Sequence, residues 1–87
     1  MHHIERELIA DKVKSITGHL LGHEPWQLRE TDSFTDDLGA DSLDCLNINL
    51  DLEKEYSIEI PDEKHEIFVT IGDVVEYLDS VLNPVGI

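Results

Sequence analysis

The group best placed to do chemistry in this chain is the hydroxyl of Ser42. It lies in the run Asp36-Asp37-Leu38-Gly39-Ala40-Asp41-Ser42-Leu43-Asp44. An acidic, glycine-containing loop gives way there to an amphipathic segment, so the serine is expected at the start of a helix. Helix N-termini expose unpaired N–H groups and the positive end of the helix dipole, which favour an attached phosphate. A serine there can also serve as a plain N-cap, and a capping hydroxyl can still be modified. Turning that hydroxyl into a catalytic nucleophile would require a base. Five histidines are present, His2, His3, His19, His23 and His65, and none forms a sequence signature with Ser42. The nucleophile-elbow pattern Gly-x-Ser-x-Gly is absent. A small serine hydrolase therefore lacks its second component, and the chain is not expected to be an enzyme.

The remaining reactive groups point the same way. His2 and His3 read as an unstructured terminus. His19 and His23 are four residues apart, but Gly22 is expected to end the helix between them, so a surface role outweighs metal ligation. Asp32, Asp36, Asp37 and Asp41 lack the spacing of a calcium loop and its bidentate glutamate, so no specific metal site is expected. The single cysteine, Cys45, excludes an intramolecular disulfide and fits a reducing cytoplasm. It falls on an apolar helix face, where a thiol is usually inert.

Several elements must position these groups. Ile9, Val13, Ile16 and Leu20 are spaced as one face of a helix over residues 4–21, with Gly22 as its stop. Residues 22–41 read as a long loop, to be pinned by Trp26, Leu28, Phe34 and Leu38. A second helix is predicted over Ser42–Tyr56. The residues before Pro61 are extended, since a pre-proline residue avoids the helical region. Proline and acids then open a short helix near residues 62–67. Thr70 and Asp73 form a capping pair for a final helix, whose buried stripe is Ile71, Val74, Val75, Leu78, Val81 and Leu82. Asn83-Pro84 ends it. The expectation is an all-α, small four-helix bundle, with three longer helices, one short third helix and a long first loop. It forms a single domain over residues 1–87.

The second helix carries two apolar stripes. At 100° per residue, Cys45, Ile48, Leu52 and Tyr56 fall within about 80° and must face the core. Leu43, Leu46 and Leu50 form another stripe about 60° wide on a different side. Acidic and polar residues edge it. Apolar anchors with a polar rim read as a docking surface.

Formal net charge is −14, with 20 acidic and 6 basic residues. Such a chain repels nucleic acid and anionic membranes and attracts basic protein surfaces. No apolar run is long enough to span a bilayer. The N-terminus lacks the layout of a signal peptide.

The run from Asp36 to Asp44 resembles the attachment site of bacterial type II acyl carrier proteins. The predicted helices agree with that family from about Ile9 to Leu78. The resemblance implies a discrete carrier in which Ser42 bears 4'-phosphopantetheine, derived from coenzyme A and attached by a phosphopantetheinyl transferase. It implies a cytoplasmic, monomeric protein that delivers acyl thioesters to enzymes of fatty acid or related lipid biosynthesis. Those partners would dock through basic patches on Asp41, Leu43, Asp44, Leu46, Asn47, Leu50, Asp51 and Glu53. It also implies an acyl pocket beside the second helix, for which Cys45, Ile48, Asn49, Leu52, His65 and Phe68 are candidates.

Departures from the family pattern leave a second pathway open. Asn47 stands where an acid is usual, and Asn49 where an aliphatic residue is. Asp51 replaces a small residue, and Lys54 interrupts an acidic run. His65 and Phe68 are bulkier or more polar than is common. A specialised carrier for a polyketide or other secondary pathway is the alternative. A non-carrier acidic interaction module would have no need of Ser42.

Overall fold

The computed structural model describes residues 3–84. Three α-helices and two 3₁₀ helices follow in the order α1 (Arg6–Leu21), a turn at Pro25–Gln27, α2 (Ser42–Tyr56), a turn at Asp62–Glu66 and α3 (Ile71–Leu82). The short third helix is therefore 3₁₀ rather than α, because five residues cannot propagate an α-helix. The 3₁₀ turn at Pro25–Gln27 was not anticipated. Proline opens it, and Glu24 and Gln27 exchange capping contacts. His2 lies outside the described residues, while His3 is exposed.

Helix α1 is the hub, packing against both α2 and α3. Ile9 and Val13 are fully buried on its inner face, and Ile16 and Leu20 pack at its margin. The helix ends as expected at Gly22, which has φ +79°. His23 N–H then donates to the carbonyl of Gly18, so a left-handed residue lets the chain turn back and satisfy a terminal carbonyl. Ser57 plays the same part at the end of α2, and Ile58 N–H donates to Glu53 O.

The long loop is held mainly by the start of α3. The first N–H groups of a helix have no intrahelical partner. In α3, Ile71 N–H donates to Asp32 O at 3.1 Å and Gly72 N–H to Glu30 O at 2.8 Å. Thr70 and Asp73 complete the set with the expected capping box. Phe34 N–H in turn donates to Val69 O. These contacts bury Leu28 and Phe34 in the core, with Leu38 packed against it. Trp26, by contrast, is 78% exposed and pins nothing. Its 3₁₀ turn aims the indole outward once Leu28 has been drawn inward.

The stripe of α3 loses one member. Ile71, Val74, Val75 and Leu78 are buried and Leu82 packs against the core, whereas Val81 is 40% exposed. The chain has reached the open end of the bundle there. Asn83 closes that end: its Oδ1 accepts from Ile4 N–H at 2.8 Å and its Nδ2 donates to Ile4 O.

Candidate functional site

Helix α2 begins at Ser42, but Ser42 is not its cap. Asp41 takes that role: its Oδ1 accepts from Asp44 N–H at 2.8 Å, and Asp44 Oδ2 accepts from Asp41 N–H at 3.2 Å. An ionised carboxylate is a stronger acceptor than a hydroxyl, so it wins the competition for the cap. The Ser42 hydroxyl is left exposed in the first turn, with no hydrogen-bond partner among the described residues. The box serves the N–H groups of residues 41 and 44. Those of Ser42 and Leu43 have no acceptor among the described residues.

Ser42 lines an open cleft of about 460 Å³ together with Phe34, Thr35, Cys45, His65, Phe68 and Val69. Four of those residues, Phe34, Cys45, His65 and Phe68, also line a smaller cavity of about 40 Å³. Ile48, Asn49 and Val74 complete its wall. A path therefore leads from the serine to a space between α2, the second 3₁₀ turn and α3. Of the residues expected around a pocket, Cys45, Ile48, Asn49, His65 and Phe68 lie there. Leu52 does not; it is fully buried in the core, one turn beyond the cavity. Phe34 and Val74 were not anticipated at the pocket. Each was legible as a buried residue, but only the docking of the loop on α3 brings them to this wall.

Asn49 is buried to 6% exposure, and its amide Nδ2 lies 3.2 Å from His65 Nδ1. The amide thus finds the partner that a buried polar group requires. Phe68 stacks edge-on against Tyr77, with centroids 5.3 Å apart. Burial pushes the Cys45 thiol up, and Asp44 and Asp41 add to the effect. The thiol stays protonated near neutrality and is a poor nucleophile.

The second stripe of α2 lies on the surface. Leu43 is 64% exposed, Leu50 43% and Leu46 41%, while Ile48 and Leu52 are sealed on the opposite side. Asp41 and Asn47 are exposed beside the leucines, and Asp44 and Asp51 are half-buried. Glu53 is occupied elsewhere. Its Oε2 accepts from Ile60 N–H at 2.7 Å and ties the extended segment back to α2.

The loop acids are likewise committed to the backbone. Asp32 Oδ2 accepts from Arg29 N–H and Asp37 Oδ2 from Ser33 N–H. Among the described residues, no group of three or more His, Cys, Asp or Glu side chains is placed to hold a metal ion. Among the described residues, no helix is long and apolar enough to cross a membrane.

Comparison with known proteins agrees with this geometry. Residues 11–78 match the family model described as "Phosphopantetheine attachment site". The acyl carrier protein of Wolinella succinogenes is 42% identical over 72 residues, covering 83% of this chain and 95% of that protein. That of Afipia carboxidovorans is 45% identical over 72 residues, covering 83% and 91%. The solved structure of the Enterococcus faecalis acyl carrier protein superposes with a TM-score of 0.74 at 35% identity, covering 88% of this chain and 98% of that one. The chain belongs to the acyl carrier protein family, whose members bear phosphopantetheine and are carriers rather than catalysts. As such it works with biosynthetic enzymes.

Proposed function

We propose that this chain is one carrier domain whose phosphopantetheine arm is attached at Ser42 Oγ. The observation that carries the assignment is the freedom of that hydroxyl at the mouth of the cleft, with Asp41 doing the capping. In the loading step Ser42 Oγ displaces the nucleotide portion of coenzyme A from phosphorus. One P–O bond forms as another breaks, and the hydroxyl proton passes to the transferring enzyme. When bound, the arm supplies a terminal thiol that holds an acyl group as a thioester.

The residues around Ser42 fit such a group. The N–H groups of Ser42 and Leu43 have no acceptor among the described residues and lie at the positive end of α2. Asp41 and Asp44 oppose that attraction, so a free phosphate would bind poorly. A covalent link removes the need for affinity.

Leu43, Leu46 and Leu50 form the docking face, with Asp44 and Asp51 at its rim and Asp41 and Asn47 beside it. A partner with a basic patch around an apolar hollow matches it in charge and shape. Leu43 is the residue nearest the serine in sequence and the most exposed of the three. It would meet any enzyme that reaches Ser42. The partners are enzymes of fatty acid or related lipid biosynthesis.

The test is intact-protein mass after incubation with coenzyme A and a broad-specificity phosphopantetheinyl transferase. The parent should gain one phosphopantetheine. Ser42→Ala should gain none while keeping its helical circular dichroism. Modification of the alanine variant would place the arm elsewhere.

A further inference from the structure

The cavity behind Ser42 has a polar end that the carrier function alone does not require. Phe34, Ile48, Phe68 and Val74 give it apolar walls, and Asn49 and His65 give it a hydrogen-bonding one. Asn49 is more than nine-tenths buried on α2, where an amide is costly unless it is used. Its Nδ2 lies 3.2 Å from His65 Nδ1 and 3.5 Å from Nε2. One ring nitrogen accepts from the amide and the other then carries the proton. In either tautomer the pair keeps the ring N–H and the second amide N–H as unspent donors, and Asn49 Oδ1 as an unspent acceptor. No protein donor among the described residues meets that oxygen.

We propose that the Asn49–His65 pair makes this cavity a site for a short acyl group bearing a hydroxyl. The inference rests on Ser42 as the attachment point. A hydroxyl both donates and accepts, so it can satisfy Asn49 Oδ1 and the ring N–H together. A saturated chain can do neither. It sets methylenes in place of water against the buried Asn49 amide, an arrangement a buried polar group disfavours. Size acts in the same direction. The cavity of about 40 Å³ has room for a few waters at about 10–15 Å³ each, and it opens toward the cleft beside Ser42. A long chain must push the second 3₁₀ turn away from α2 and break the Asn49–His65 contact. A short hydroxyacyl group replaces that hydration with bonds of its own.

The experiment loads the holo-protein with hexanoyl, 3-hydroxyhexanoyl, 5-hydroxyhexanoyl and dodecanoyl groups, with each product verified by mass. Thermal unfolding is then followed for the parent and for Asn49→Leu. In the parent, at least one hydroxyhexanoyl form should melt higher than the hexanoyl form by about 4 °C or more, the scale of one satisfied polar pair in a domain this size. The dodecanoyl form should gain nothing over hexanoyl. In Asn49→Leu the order should reverse, with saturated chains stabilising most. The parent comparison decides by itself should the leucine variant fail to fold. Equal melting of hydroxylated and plain hexanoyl forms, or steady stabilisation by longer saturated chains, overturns the proposal. Absence of loading at Ser42 overturns the carrier assignment and this inference together. Loading without the hydroxyl preference overturns this inference alone.

Discussion

Truncating Leu46 to alanine, with Leu52→Ala as its counterpart, tests the two-faced character of α2 most directly. The two leucines lie on one helix but in opposite environments, 41% and 0% exposed. Leu46 already keeps much of its surface in water, and alanine is the better helix former. Its truncation should therefore cost about 1 kcal/mol or less. Truncating Leu52 leaves a cavity in the buried core cluster, and buried Leu→Ala changes cost about 2–5 kcal/mol. For a domain of this size about 1 kcal/mol moves Tm by roughly 4–8 °C. Leu46→Ala should thus lower Tm by less than about 8 °C, and Leu52→Ala by more than about 8 °C. Function should split the opposite way. If Leu46 anchors a partner at about 1 kcal/mol or more, kcat/KM for modification by a phosphopantetheinyl transferase falls at least about fivefold. Leu52→Ala, assayed where it is folded, should leave that constant nearly unchanged. Urea unfolding and transferase kinetics on the same samples give both numbers. A stability loss for Leu46→Ala equal to that of Leu52→Ala would refute the reasoning, as would unchanged kinetics.

Three further outcomes follow from the local geometry. Asp41→Ala should destabilise by about 1 kcal/mol through loss of the cap, while Ser42→Ala should stay within about 0.5 kcal/mol of the parent in urea unfolding; the reverse order would make Ser42 the cap. Gly18→Ala should destabilise by about 1–3 kcal/mol or more, because an added Cβ would lie 2.3 Å from the carbonyl oxygen of His23; a neutral result in thermal melts would mean that this turn is free to shift. Arg6 donates two hydrogen bonds to Glu30, at 2.9 and 2.8 Å, and this pairing holds the Glu30 carboxyl below its usual range against a smaller opposing effect of burial. A depressed carboxylate stabilises above its unfolded pKa and loses that contribution as pH falls through the folded one. The gap between parent and Glu30→Gln, about 0.2–1 kcal/mol for so exposed a pair, should therefore hold near neutrality and close in acid below the ordinary carboxylate range. A gap that persists there would assign the effect to packing.

Much of this protein was legible along the chain because its signals are local. The 3.6-residue spacing of Ile9, Val13, Ile16 and Leu20 defines a helix face whatever packs against it. Gly22 and the Thr70–Asp73 pair end and begin helices through contacts no more than five residues apart. The exposure of Leu43, Leu46 and Leu50 followed from angle alone, since one helix in a small bundle cannot bury two sides. The run around Ser42 was readable for the same reason: it is one loop and one helix turn.

Tertiary structure decided what depends on distant partners. Trp26 looked like a loop anchor by composition, yet the carbonyls of Glu30 and Asp32 fix the loop by meeting the bare N–H groups of α3 about 40 residues later in the chain. That same docking carries Phe34 to Val74 and builds the cavity wall. Glu53 and Asp51 are both acids on α2, and only the return of the chain past Ile60 ties Glu53 to a backbone N–H. Asn49 was readable as an amide at the margin of a core stripe. Its burial and its contact with His65, sixteen residues on, came from the second 3₁₀ turn folding over α2. Sequence by itself determines the elements and their faces, because backbone hydrogen bonding and apolar spacing act within a few residues. Which faces meet, and which polar groups are spent in meeting, is determined by packing across the whole chain.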